Sequence, residues 1–168
     1  GLLRATVASA SNDHRLGGNE APPAIVSIFL GDQLTDILTE IETGGKSDLR
    51  QGGNIEIGVT TIPNLPKDTS DRNRTSPLAF TGNKFEFRMV PSSGCIADAN
   101  TVLNTITADA LCAFADELEQ AEDFDAALHA LIRREMKAHQ RIIFNGNGYT
   151  DEWIAEAARR GLPNMASM

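Results

Sequence analysis

Two hydrophobic periods run along this chain, and the change from one to the other divides it. Lys84 to Val90 alternates strictly, with Phe85, Phe87 and Met89 on one side and Lys84, Glu86 and Arg88 on the other, which predicts a β-strand. Ile55, Ile57 and Val59 alternate with polar or small residues and predict a shorter strand. From Ala97 the period is helical: Val102, Leu103, Ile106, Ala110, Leu111 and Phe114 form one apolar stripe. Asp123 is placed to cap a second helix that turns Phe124, Ala127, Leu128, Leu131, Ile132 and Met136 inward and runs on toward Phe144. Asn145 to Gly148 breaks the chain, and Thr150 caps a last helix with Trp153 buried and Glu152 and Glu156 outward.

The first third is less regular. Leu2 to Ala10 is short, small and partly β-branched, the pattern of a strand. Ser11 to Glu20 is polar and contains Gly17-Gly18, the composition of a loop. Ala21-Pro22-Pro23 is suited to opening a helix, since a first turn lacks partners for its N–H groups. Ile25, Ile28, Phe29, Leu34, Ile37, Leu38 and Ile41 then keep a helical period with one slip near Gly31, until Thr43-Gly44-Gly45 stops it. Lys46 to Gly53 reads as a polar linker, and the two prolines in Ile62 to Pro66 argue against regular structure. Leu78-Ala79-Phe80 leads into a turn at Thr81-Gly82-Asn83. The expectation is an α+β fold in one piece, with loops and a few antiparallel strands over 1–95 and helices over 96–168.

Composition narrows the function. A chain of 168 residues that is 41 % hydrophobic has enough apolar material for a core, but with aromatics at 5 % that core is aliphatic. The net charge of −8 opposes general nucleic-acid binding, which needs a basic surface, yet leaves room for a local phosphate site. The longest apolar run, Ala24 to Leu30, is too short to span a bilayer, and the start shows no signal-peptide pattern. Cys95 and Cys112 have no metal or redox spacing and read as reduced thiols, Cys112 on a helix packing face, as suits a cytoplasmic protein. Gly1-Leu2-Leu3-Arg4, without an initiator methionine, reads as the interior of a longer protein, with Gly1 a remnant of a cleaved tag.

Three places carry candidate chemistry. Asn12 to Pro22 sets Asp13, His14, Arg15 and Glu20 around two glycines, so it could close over a substrate; the plainer reading is a polar surface turn in which Glu20 favours a helix N-terminus. Asp71 to Pro77 holds Arg72 and Arg74, whose planar guanidinium groups match phosphate oxygens, or is simply a solvated charged loop. Lys84, Glu86 and Arg88 lie about 7 Å apart on one strand face. Because the opposite face needs a core, they look onto water or onto a polar cleft suited to Mg²⁺ and phosphate. His129 and His139, ten apart on one helix, do not make a metal pair, and the NGNG of 145–148 lacks the lysine of a phosphate-binding loop.

Three segments, NDHRLGGNEAPPAI (12–25), DRNRTSPLAFTGNKFEFRMV (71–90) and RIIFNGNGYTDEW (141–153), resemble glutamine synthetase, most closely its type III form. The resemblance extends along nearly the whole chain and implies the C-terminal part of a catalytic domain. That family joins ammonia to glutamate with ATP through a γ-glutamyl phosphate, using two Mg²⁺ or Mn²⁺ ions. By resemblance, Glu20 is the flap glutamate that shields the acyl phosphate and helps accept a proton from ammonium. Arg15 holds substrate glutamate, Arg74 contacts the transferred phosphate, and Glu86 belongs to the second metal site. Arg88 is a further substrate and phosphate arginine, and Lys84 stands where type I enzymes have a nucleotide-contacting arginine. The spacing from Arg15 to Glu20 is one residue shorter than in type I, Gly17-Gly18 replaces a proline, and His14 replaces a lysine.

No counterpart is present of the histidine and the other glutamates that complete the two metal sites, or of the small N-terminal domain, which the family carries upstream. The resemblance therefore implies a cytoplasmic homo-oligomer, a dodecamer of stacked rings, for the full-length enzyme, and an inactive chain when these residues stand alone. The alternative is a non-catalytic nucleotide- or partner-binding module built on the same fold.

Overall fold

A computed structural model describes residues 1–18, 21–44, 54–55, 65–66 and 76–168. The fold is α+β, a small mixed sheet followed by a helical C-terminal half. Strands β1 (Ile28–Phe29), β4 (Leu78–Phe80) and β5 (Phe85–Phe87) form the sheet in the order β1-β4-β5. β1 runs parallel to β4, pairing Ile28 with Leu78, and β4 runs antiparallel to β5, pairing Ala79 with Glu86. Ile143 extends the sheet beyond β1 through a parallel bridge to Ile28, with the Phe144 N–H donating to the Ile28 carbonyl at 2.9 Å. β2 (Asn54–Ile55) and β3 (Leu65–Pro66) make a separate antiparallel pair. The expected strand through Ile57 and Val59 thus appears at Ile55, and its remainder lies outside the described residues. Leu65–Pro66 pairs despite its proline, because a strand edge needs no N–H on its outer side.

Where Leu2 to Ala10 suggested a strand and Ser11 to Glu20 a loop, the chain forms two short helices, α1 (Leu2–Ala5) and α2 (Ala10–Arg15). Ser9 is the reason for the second: it sits in extended backbone and its hydroxyl accepts the Asn12 N–H at 3.2 Å. The helix expected from Ala21 begins only at α3 (Asp32–Thr43). Ala21 to Leu30 is instead almost wholly buried non-helical chain, which Pro22-Pro23 favours; Ile28 and Phe29 pair with β4, and Ile25 and Ile28 bridge to Asn164 and Ile143. Gly31, at φ 78°, makes the corner into α3, and Gly44, at φ 70°, ends it as a left-handed cap.

The helical half follows its sequence pattern more closely. α4 spans Ala97–Glu119, α5 Phe124–His139 and α6 Asp151–Arg159. Asp123 caps α5 by accepting the Ala126 N–H at 3.0 Å, and Thr150 caps α6 by accepting the Trp153 N–H at 3.2 Å. α5 stops at His139, and a 3₁₀ turn (Gln140–Ile142) carries the chain toward Phe144. α5 packs against α3 and α4, its Arg134 gripping both Glu117 oxygens at 2.8 Å and its Arg133 donating to the Ile41 carbonyl, 3.2 Å away, in the last turn of α3.

A compact cluster forms around Trp153, with Ile25, Ala157 and Leu162 buried and Ile142 and Phe144 packed on it. The Phe144 ring stacks on the indole at 3.7 Å between centroids, and the Arg160 guanidinium lies over the indole at 5.4 Å. Elsewhere the apolar stripes are covered only in part. Leu131 is buried, but Ile106, Leu111 and Phe124 are exposed, contrary to the inward orientation their periodicity suggested. Cys112 is exposed as well, not packed. Phe87 on β5 and Met89 just beyond it turn inward as expected, while Phe85 is 55 % exposed. It borders an apolar groove of about 620 Å³ whose walls include Leu111, Phe114, Leu118, Leu131 and Met136.

Candidate active site

β5 and its flanks hold the charged residues that the alternation placed on one face. Lys84 Nζ stands 3.1 Å from Glu86 Oε1, while Arg88 Nη2 and Nε stand 3.2 and 3.3 Å from Oε2. Each carboxylate oxygen is therefore met by a different cation. Their side-chain exposures, 64 % for Lys84, 37 % for Glu86 and 12 % for Arg88, grade from solvent toward the interior. Hydrogen bonds from Lys84 first and Arg88 second hold the Glu86 carboxyl below the ordinary carboxylate range, so it is ionised at neutral pH. Ala79, directly across the ladder, adds only a buried methyl group to that face.

Arg15 ends α2 and reaches the same strand. Its Nε donates to Asn12 Oδ1 at 2.9 Å and its Nη2 to the Met89 carbonyl at 3.1 Å. The guanidinium is thus fixed against the residue that follows Arg88. Glu20 and Arg74, with Arg72, lie outside the described residues. The structure brings Lys84, Glu86 and Arg88 into contact and places Arg15 against the Met89 carbonyl, one residue beyond Arg88.

Two supporting groups had no clear signal in the sequence. Asn12 is fully buried, its amide donating to the Val7 and Met89 carbonyls at 2.6 and 3.1 Å. Arg4, fully buried too, donates through Nε to the Met165 carbonyl at 2.8 Å and through Nη2 to the Asp13 carboxylate and the Ala166 carbonyl. Asp13, grouped with the loop's candidate acids, is therefore a structural partner of Arg4, whose hydrogen bond lowers its pKa.

His129 Nδ1 meets the Asp125 carbonyl at 2.7 Å and His139 pairs with Glu135 at 3.3 Å, each a local contact on α5. Among the described residues no group of three or more His, Cys, Asp or Glu side chains could hold a metal ion. Glu86 offers one carboxylate, which suits a single position in a shared coordination sphere. Asn145, in the segment that separates α5 from α6, accepts the N–H groups of Leu30 and Gly31 at 3.0 and 3.1 Å and donates to Thr35 Oγ1 at 2.9 Å. That segment is a latch on α3 and not a phosphate cradle.

Comparison with known proteins gives this geometry its context. Residues 127–168 match the glutamine synthetase C-terminal domain. The chain is 45 % identical, over 99 % of its length, to the type-3 glutamine synthetase of Dictyostelium discoideum. It belongs to the glutamine synthetase family. Identity to the glutamine synthetase of Bacteroides fragilis (strain YCH46) is 47 % over 98 % of the chain, and to that of Butyrivibrio fibrisolvens 45 % over 99 %. The chain spans about a quarter of the length of these curated relatives, 23 % of the first and 24 % of the other two. The matched C-terminal segment contributes Leu131, Trp153, Ala157 and Leu162 to the core, and the charged strand precedes it. Among the described residues no helix is long and apolar enough to cross a membrane.

Proposed function

We propose that this chain supplies one wall of the active site of a glutamate–ammonia ligase, in which ATP phosphorylates the glutamate side chain and ammonia displaces the phosphate. The observation that carries the reading is Glu86 held ionised between Lys84 and Arg88 on one strand face, in a chain similar from end to end to named glutamine synthetases. A divalent cation, Mg²⁺ or Mn²⁺, would supply charge neutralisation at the phosphoryl oxygens, and Glu86 is the described residue that would help hold it. Further ligands come from the remaining three-quarters of the protein. Release of the exposed Lys84 ammonium frees Oε1 for that role and turns the cation toward a nucleotide phosphate. Arg88, more deeply placed, stays beside the carboxylate and faces the transferred phosphoryl group or the substrate. Arg15 takes the substrate glutamate, Arg74 the phosphate in flight, and Glu20 covers the acyl phosphate and draws a proton from ammonium. The whole protein acts as a cytoplasmic homo-oligomer, a dodecamer.

The test is glutamine formation by the full-length parent with ATP, Mg²⁺, glutamate and ammonium. Glu86→Ala and Glu20→Ala should each lower kcat/KM by about two orders of magnitude or more, with the assembly intact. The 168-residue chain alone should form no glutamine. A parent without turnover removes the ligase reading and leaves a nucleotide- or partner-binding module. An active parent indifferent to both substitutions retains the chemistry and removes these roles.

A further inference from the structure

We infer that Asn12 is the residue that positions Arg15 for substrate glutamate, an inference that rests on the ligase reading and on the role proposed above for Arg15. An arginine at the end of a six-residue helix beside a glycine pair would ordinarily sample many rotamers. Here its guanidinium is held on two sides. Asn12 Oδ1 accepts from Nε at 2.9 Å, and the Met89 carbonyl accepts from Nη2 at 3.1 Å. Asn12 also controls the second contact, because its own amide donates to that Met89 carbonyl at 3.1 Å. A third bond, from the amide to the Val7 carbonyl at 2.6 Å, ties the asparagine to the chain leading into α2. One fully buried side chain thus uses both amide protons and its oxygen to join α2, the approach from α1 and the end of the charged strand.

The arrangement has a directional consequence. With Nε and Nη2 committed to Asn12 and Met89, the other guanidinium edge remains for a bidentate carboxylate contact. Arg15 is in this way pre-organised, and the entropy of fixing it is met on folding instead of on binding. Asn12 touches no substrate in this account and acts through Arg15.

The experiment uses the full-length parent enzyme and a double-mutant cycle read through KM for glutamate. Arg15→Ala and Asn12→Ala should each raise that KM about tenfold or more, with KM for ATP little changed. In the Arg15→Ala background, Asn12→Ala should add nothing further, since its effect passes through the missing guanidinium. A purely structural asparagine would instead weaken glutamate and ATP binding alike and would keep its effect in that background; either result overturns the inference. If Asn12→Ala does not assemble, Asn12→Asp conserves the volume and carries the same test. Its carboxylate neutralises Arg15 and should raise KM for glutamate at least as much, and an unchanged KM overturns the inference. If Arg15→Ala leaves KM for glutamate untouched while the parent is active, the assigned role of Arg15 is what fails, and the inference falls with it. If Arg15→Ala raises KM and both Asn12 variants do not, the role of Arg15 stands and the inference alone fails.

Discussion

Trp153 organises the buried apolar cluster of the C-terminal part. It receives Phe144 on one ring face, lies under the Arg160 guanidinium, and packs with Ile25, Ala157 and Leu162. Trp153→Ala removes all of these contacts at once and should cost about 3–5 kcal/mol in urea unfolding. Gly146 bears on the same stack. A Cβ built there would stand 2.7 Å from the Phe144 ring, so Gly146→Ala should push Phe144 off the indole and cost about 1–3 kcal/mol, with a change in the near-ultraviolet dichroism of the ring pair. At this scale the sequence was informative about charge and about apolar burial at Trp153 and Met89, and silent about buried polar groups. Strict alternation placed Lys84, Glu86 and Arg88 together because strand geometry leaves no other choice. Nothing in the local pattern marked Arg4 or Asn12 as buried, because their partners are carbonyls at Met165, Ala166, Val7 and Met89, most of them far along the chain.

Whole elements obeyed their sequence where their stabilising interactions are local. α5 and α6 begin at Asp123 and Thr150 because those side chains accept N–H groups three residues ahead, an interaction readable from spacing alone. Ala21 to Leu30 failed as a helix because its pairings reach far along the chain, Ile28 and Phe29 to β4, Ile28 to Ile143 and Ile25 to Asn164, and these outweigh a periodic apolar pattern. The apolar stripe of α4 is a real helix signal, yet its Ile106 and Leu111 meet no cover among the described residues. The junction between sheet and helices depends on Asn145, which satisfies the buried N–H groups of Leu30 and Gly31 just ahead of α3. Asn145→Ala orphans both and should cost about 2 kcal/mol, with hydrogen exchange accelerating first at Leu30 and Gly31.

Across the molecule, acid should draw stability from α6. Arg159 and then Arg160 hold the Glu156 carboxyl down to about 2, against an ordinary value of 4.5. A carboxyl lowered on folding contributes stability that is complete above the ordinary value and is lost as pH falls through the folded one. The contact should therefore weaken between about 4.5 and about 2. Arg160 also covers Trp153, the chain's single tryptophan, so its fluorescence should report the transition and Glu156→Gln should remove that pH dependence. A second whole-molecule feature is the bond from Arg4 to the carbonyls of Met165 and Ala166, which spans more than 160 positions. A ribosome adds roughly 5–20 residues each second, so for some 8–30 s after Arg4 is made its acceptors do not yet exist. Throughout that interval a guanidinium destined for full burial must stay hydrated, and α1 cannot settle. A helix at one end of this segment is thus among the last parts of it to be locked, and its docking records that the segment has been synthesised through to Ala166.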